Sequence, residues 1–341
     1  MGRVKELLTE QNGENLEILD FGWGDTRGLR KKILSIYNNM NVMQTMPLES
    51  YGYPPYDGDP ELVDMLKNLT KILTGKSYKH ICITAGCTHA VNASIYALAD
   101  SRTNSVNTRK LYYPRYPAII GLTPYIHQTW DLYHTKNCIV IVDSPSNPLG
   151  LIGHDQEFNT DRVIWDAAYH TPTYGMTLGI NNVTHRVFCG SLSKLTGING
   201  IRLGWTATDE DDIHRRIQSY TKSSVCGVSY PSQYVAKEIL KDEDRLNMYF
   251  LQSRALIDNN REEVLKLKHI FGQDHISPFG MFAFFRTDDR MEEIFKKARV
   301  VFTSGRECGA DFQSVRINLA NTNEMTKEMV ERIIKVDRNW A

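Results

Sequence analysis

Apolar positions recur along the chain with two different periods. In residues 61–73, ELVDMLKNLTKIL, Leu62, Leu66, Leu69 and Leu73 fall three or four apart while Asp64, Lys67 and Lys71 take the other side. That spacing predicts a surface helix packed on a core. HICITAG, KLYYP, NCIVIVDSP, RVIWDAAY and RVFCGSLSK are instead short apolar or β-branched runs that stop at polar or glycine-bearing turns. Such runs predict strands buried on both faces. Helical stretches at 88–99 and 210–222 fall between or after them, so the centre of the chain alternates strand and helix as a parallel α/β sheet does. Ligands of such sheets bind at the carboxyl ends of the strands. From about residue 231 to 268 the pattern turns helical, with Val235, Ile239, Leu246, Leu256 and Val264 among charged neighbours, and predicts a connector into a smaller second domain. The tail supplies a strand, GMFAFFR, a helix, RMEEIFKKA, and two short strands, VVFTSG and SVRINLA.

Length and composition narrow the function classes. A chain of 341 residues suits one large domain plus a lesser one, because single cores stop growing near roughly 250 residues. Forty Lys plus Arg balance forty Asp plus Glu, with no block of like charge. Neither nucleic acid nor an anionic membrane is therefore expected as a partner. The opening MGRVKELLTEQNGENLEILDFG has no apolar h-region and no long apolar run follows, so a soluble, unexported, cytoplasmic protein is expected. Cys82, Cys87, Cys138, Cys189, Cys226 and Cys308 form no CxxC pair. Buried reduced thiols are expected, with no metal site.

The most informative stretch is SLSKLTGINGIRLGW, residues 191–205, directly after the apolar strand RVFCG. A lysine at a strand end, with hydroxyls before it and glycines after it, is accessible yet fenced from bulk water. Burial or a cation such as Arg202 lowers its pKa, and only the neutral amine attacks an aldehyde. With Ser191, Ser193, Lys194, Gly197, Gly200 and Arg202 in this spacing, the segment resembles the signature of the fold-type I pyridoxal-phosphate (PLP) enzymes, in particular the class I/II aminotransferases. The resemblance implies that Lys194 holds the cofactor as a Schiff base and that Ser191, Ser193 and Arg202 belong to the cofactor site, Ser191 and Arg202 on its phosphate.

Further motifs follow in that family's order. In ICITAGCTHAVNASIYAL a strand, a glycine and a small-residue helix leave backbone N–H groups facing outward; by resemblance Gly86, Cys87 and Thr88 form the phosphate cup. YYPRYPAI resembles the segment whose aromatic residue stacks on the pyridine ring, with Tyr116 the best match and Tyr113 second. In DSPSNPLG, Asn147 matches the asparagine that bonds the cofactor's phenolic oxygen, a role shared with Tyr169. Asp166, at the end of the strand VIW, matches the carboxylate that keeps the pyridine nitrogen protonated so that the ring accepts electrons. Arg316 in SVRINLA matches the arginine that grips the substrate α-carboxylate, and a planar guanidinium suits that bidentate task. Gly24 in LDFGWGDT matches a backbone contact to the same carboxylate, with Trp23 lining the pocket. Tyr53, with Tyr51 as fallback, matches a tyrosine that reaches the phosphate of the neighbouring subunit, which implies a homodimer with a shared active site. Two departures stand out: Ala167 where the family often has Glu, and Cys87 where a smaller or more polar residue is usual.

The resemblance implies an α/β fold of PLP-transferase type I: a large domain with a mostly parallel seven-stranded sheet between helices, and a smaller α+β domain from the N- and C-terminal segments. The expected division is 1–45 for the arm and part of the small domain, 46–235 for the PLP-binding domain, and 236–341 for the connector helix and the rest of the small domain. It implies ping-pong transfer of an amino group between an amino acid and a 2-oxo acid, with Lys194, Asp166 and Tyr169 catalytic. Lyases, cyclising synthases and decarboxylases use the same residues, and the short chain also resembles histidinol-phosphate aminotransferases. A PLP-fold binding module is the reading from another class. No second arginine for a dicarboxylate side chain is assignable, and His170 and Tyr174 are either pocket walls or packing.

Overall fold

The structure, a computed structural model, describes residues 17–22, 24–37, 46, 52–129, 137–153, 158, 160–180, 183–272 and 274–338. It begins with a short strand, β1 (Leu19–Asp20), and a helix, α1 (Arg27–Ile36). The leucine spacing at 61–73 becomes α2 (Pro60–Thr74). Asp59 caps it by accepting the Leu62 amide at 3.0 Å, Pro60 sits in its first turn, and Gly75 ends it at φ 72°, a left-handed turn glycine takes without a Cβ clash.

Strand and helix then alternate: β2 (His80–Thr84), α3 (Cys87–Leu98), β3 (Ser105–Thr108), α4 (Tyr116–Ile120), β4 (Ile126–Thr129), β5 (Cys138–Asp143), β6 (Val163–Asp166), β7 (Val187–Ser191), α5 (Leu192–Thr196), β8 (Gly204–Thr208) and α6 (Asp211–Val225). The seven strands form one sheet in the order β2-β8-β7-β6-β5-β3-β4. Its neighbours are parallel except β8, which runs against both β2 and β7. Residues 138–143 and 163–166 are buried throughout, as expected for strands covered on both faces.

KLYYP, expected as a strand, is not one: the strand there is β3, SVNT, just before it. Pro114 has no N–H for a ladder, and the Tyr112 amide bonds the Cys308 carbonyl at 2.9 Å while Tyr112 and Tyr113 pack on the α3 side of the sheet. β3 is buried although polar because β4 and β5 pair with it on either side. The helical connector at 231–268 is two helices, α7 (Tyr230–Leu240) and α8 (Glu243–Leu265), the second capped by Asp242. Then come β9 (Asp274–His275), β10 (Phe282–Arg286), α9 (Met291–Lys297), β11 (Val300–Val301), β12 (Thr303–Ser304), β13 (Ser314–Asn318) and a last helix, α10 (Asn323–Arg338), which the apolar runs did not single out. The order β12-β13-β10-β9 makes a four-stranded antiparallel sheet, and β11 pairs in parallel with β1. The N-terminal and C-terminal segments are thus joined in one layer. Among the described residues no helix is long and apolar enough to cross a membrane and no metal-binding cluster is present. The six cysteines form no disulfide.

Parallel strands set the site's position. Asp143, Asp166 and Ser191 end β5, β6 and β7 on one rim of the sheet, and β2 reaches the same rim at Thr84. Because β8 runs the other way, its start, with Arg202 just before it, arrives there too. Behind the rim, Gly190 lies opposite Trp205, and a Cβ on Gly190 would stand 2.3 Å from that fully buried ring. The indole is fixed by donating to Thr70 Oγ1 at 2.8 Å and cannot yield freely. Gly190→Ala should therefore destabilise the protein by about 1–3 kcal/mol through overpacking, read as a lower denaturant midpoint at unchanged m-value.

Candidate active site

Lys194 sits on α5, one turn of helix after the end of β7. Gly197 follows at φ 75°, and the α5 helix is brought against α1 there, since a Cβ on Gly197 would meet Leu29 at 2.7 Å. The Lys194 amine donates to the Gly24 carbonyl, and the Tyr174 hydroxyl holds the Lys194 carbonyl at 3.0 Å. Burial lowers the ammonium, Asp25 opposes, and Arg316 and Arg202 push it down again, leaving it at about 8. The amine is thus far more often neutral near pH 7 than a surface lysine.

It opens on a cavity of about 760 Å³ whose wall includes Gly24, Cys87, Thr88, Tyr113, Tyr116, Asp143, Asn147, Asp166, Tyr169, Ser191, Ser193, Arg202 and Arg316. The sequence-derived candidates therefore converge, with three qualifications. Trp23 and Tyr51 lie outside the described residues, Gly86 stands just behind the wall, and Tyr53 is 91% exposed and does not line the cavity of its own chain. His170 and Tyr174 are packing: His170 lies edge-on to Trp165 with Nε2 on the Leu73 carbonyl, and Tyr174 is fully buried.

One end of the cavity is built for an anion. Helix α3 starts there without a side-chain cap, so the Cys87 and Thr88 amides have no carbonyl behind them. Arg202 adopts φ 49°, a left-handed strain that non-glycine residues take at a cost of about 1–3 kcal/mol, and its guanidinium lies over Gly86. A Cβ there would be 2.5 Å from Nη2, and Gly86 itself has φ 86°. Ser193 Oγ accepts from Arg202 Nη1 at 3.5 Å.

Deeper in, Asp166 accepts from the Tyr116 hydroxyl at 2.8 Å, the Ala168 amide at 3.1 Å and the Cys87 thiol at 3.3 Å. Burial still raises its carboxyl above the usual range, against the pull of those donors. Tyr116, expected against the cofactor ring, is 1% exposed and spends its hydroxyl on Asp166. Tyr113, the second choice, is the more accessible of the two and stands edge-on to Tyr116 at 5.4 Å. The departure at Cys87 gains a physical account, since its thiol, pushed well up by burial and by Asp166, stays protonated and donates.

Opposite lies Arg316, 4% exposed on β13. Nη1 donates to Asn147 Oδ1 at 2.7 Å, Nη2 to the Gly22 carbonyl at 2.9 Å and Thr303 Oγ1 at 3.0 Å, and the guanidinium rides over the Phe282 ring at 4.2 Å. Among the described residues no carboxylate pairs with it, and its Nε has no partner. A buried, preoriented guanidinium without a counter-ion is a receptor for a carboxylate. Asn147 also donates to the Tyr169 hydroxyl at 3.3 Å. Sequence motifs did not disclose Thr303, Phe282, Asp25 or Asn199, which support Arg316 and the Gly24 segment. They carry no signature beyond strand and loop residues, and only the fold brings them in.

The donor set fits pyridoxal phosphate: an anion cup for the phosphate, a poised amine for the aldehyde, Asp166 for the ring nitrogen, and Asn147 with Tyr169 for a phenolic oxygen.

A family profile described as aminotransferase class I and II matches residues 17–333. Tryptophan aminotransferase-related protein 1 of Oryza sativa subsp. japonica is 24% identical over 74% of this chain and 66% of its own length. An alliin lyase of Allium cepa var. aggregatum is 25% identical over 71% of this chain and 52% of its own. The chain thus spans about two thirds of the first of these relatives and half of the second. A Thermus thermophilus aspartate aminotransferase mutant shares the fold with a TM-score of 0.80, at 16% identity over 98% of this chain and 96% of that one. With the profile running through nearly every described element, from β1 to α10, and the lysine cavity inside it, this chain belongs to the class I and II aminotransferase family.

Proposed function

We propose that the protein is a PLP-dependent aminotransferase that moves an amino group between an amino acid and a 2-oxo acid. The observation that carries this reading is Arg316, buried, held by Asn147 and Thr303, and lacking a carboxylate partner in the cavity that Lys194 faces. Bound pyridoxal phosphate supplies an aldehyde and an electron-accepting ring. The chain's own groups do the rest. Arg316 orients an α-carboxylate, and Lys194 Nζ, which loses its proton at about pH 8, is the base placed to take the proton from the donor's Cα. Asp166 holds a proton at the ring nitrogen, while Asn147 and Tyr169 bond the phenolic oxygen. Tyr113 is proposed as the aromatic against the ring, and Arg202 with Ser191, Ser193 and the amides of α3 as the phosphate site.

A homodimer is proposed with it, Tyr53 reaching across to the partner's cavity, which accords with its 91% exposure. So are a cytoplasmic location and the division into 1–45, 46–235 and 236–341. A lyase reading is weaker, although an alliin lyase is among the relatives. Incubating the holoenzyme with single amino donors, following loss of the cofactor's visible band and identifying products by mass, separates the two. Stoichiometric 2-oxo acid that keeps the donor's side chain, without ammonia, supports transfer; ammonia released together with pyruvate from a donor bearing a β-leaving group moves the assignment to elimination.

Lys194→Ala should abolish the visible band of covalently held cofactor and lower the transfer rate by about a thousandfold or more. Arg316→Lys should raise KM for amino-acid donors about 10- to 100-fold, the loss of a bidentate charged contact, with the cofactor band unchanged. Capture of pyridoxal phosphate by cofactor-free protein should speed up with rising pH and level off above about 8, where the Lys194 amine is neutral. Since the Asp25 charge holds that pKa up, Asp25→Asn should move the midpoint to lower pH in stopped-flow absorbance.

A further inference from the structure

Beside Asp166 stands a second carboxylate that the cofactor site leaves without a task. β5 and β6 pair in parallel with Asp143 opposite Asp166. Residues in that register leave the sheet on the same face, on strands about 4.8 Å apart. The face is the one carrying α3 and α4, since Ile141 and Ile164, two residues earlier on each strand, pack with Val91 and Tyr116. Asp143 is 4% exposed, Asp166 9%, and both line the cavity.

Their hydrogen bonding is unequal. Asp166 takes three donors, from Tyr116, Ala168 and Cys87, whereas Asp143 takes the Asn147 amide at 2.8 Å on Oδ2 and, more weakly, its own amide. Neither is in a salt bridge seen among the described residues, and the charge of Arg109, after β3, favours an ionised Asp143. Two buried carboxylates this close do not both ionise cheaply, and the charge settles where the donors are. We propose that Asp143 and Asp166 form a proton-sharing pair in which Asp143 keeps the proton and the charge is confined to Asp166.

Asp143 is then a positioning residue acting through its neighbour. Burial, with the Asp166 charge adding to it against the Asn147 amide and Arg109, lifts Asp143 to about 7. Tyr116 and Cys87, pushed well above their ordinary values, stay neutral donors, and Tyr113, Tyr169 and Cys189, raised by burial and by the Asp166 charge, stay neutral as well. A carboxyl raised in the folded state binds a proton that the unfolded chain has lost, so this pair costs stability progressively as pH rises from about 4 to about 7. If pyridoxal phosphate occupies the cavity as proposed above, the cation at its ring nitrogen favours the second negative charge. Loading the enzyme then lowers the pH at which Asp143 ionises.

Infrared spectra of the full-length protein in H2O and D2O test this directly. Cofactor-free wild type at about pH 6 should show a protonated-carboxyl C=O band that Asp143→Asn removes, the amide still accepting from Asn147. Asp166→Asn should keep the band but lower the pH midpoint of its loss by about one unit or more. Adding pyridoxal phosphate to wild type should lower that midpoint as well. A band that survives in Asp143→Asn, or a midpoint indifferent to Asp166→Asn, overturns the pair. Wild type that never takes up the cofactor overturns the aminotransferase reading instead, while the cofactor-free spectra still decide the pair.

Discussion

Four ionisable side chains, Lys194, Arg316, Asp166 and Asp143, share one cavity without a direct ion pair between any two of them. Burying charge without pairing it is expensive, and proteins keep such an arrangement only where a rigid frame holds the groups apart and a ligand of matching charge completes it. Here the uncapped start of α3, the Arg316 guanidinium and the Asp166 carboxylate sit in fixed relation, the proposed receptors of a phosphate, a carboxylate and a ring cation. The cavity is an unneutralised negative image of its proposed occupants.

The frame follows from strand direction. Parallel pairing of β5, β6 and β7 delivers three consecutive strand ends to one rim, and the reversed β8 delivers Arg202 to the same place. From the other side come Gly22 and Gly24 after β1 and the β13 arginine, joined by the Arg316 bond to the Gly22 carbonyl and by Thr303. Lys194 stands at the seam, its amine on the Gly24 carbonyl and its backbone on Tyr174.

Within the site, hydrogen-bond supply decides which of two like groups carries charge. Asp166 collects three donors, two of them side chains, and Asp143 only backbone amides, although both are buried at the same register. Tyr116 is informative in the same way. As a tyrosine beside proline it matched a stacking position, yet its hydroxyl is drawn to the buried carboxylate, which leaves Tyr113 as the accessible ring.

Periodicity is enough to read the alternating α/β core and α2, and motif order nominates Lys194, Asp166, Asn147, Arg202 and Arg316, which the fold brings to one cavity. Local reading failed where tertiary contacts override it. β3 is polar in sequence but buried by its two neighbours, and KLYYP is apolar but lacks a ladder, whereas α10 buries Thr326, Met329, Val330 and Ile333 at ordinary helical spacing. The register that sets Asp143 beside Asp166, the Gly24 carbonyl on Lys194, and the Thr303 and Phe282 support of Arg316 span separations that no local pattern encodes. The chain alone determined which chemical groups are available and in what order; only the packed sheet decided which of them meet, and so which carry charge, because burial and distance are properties of the fold and not of the neighbours in sequence.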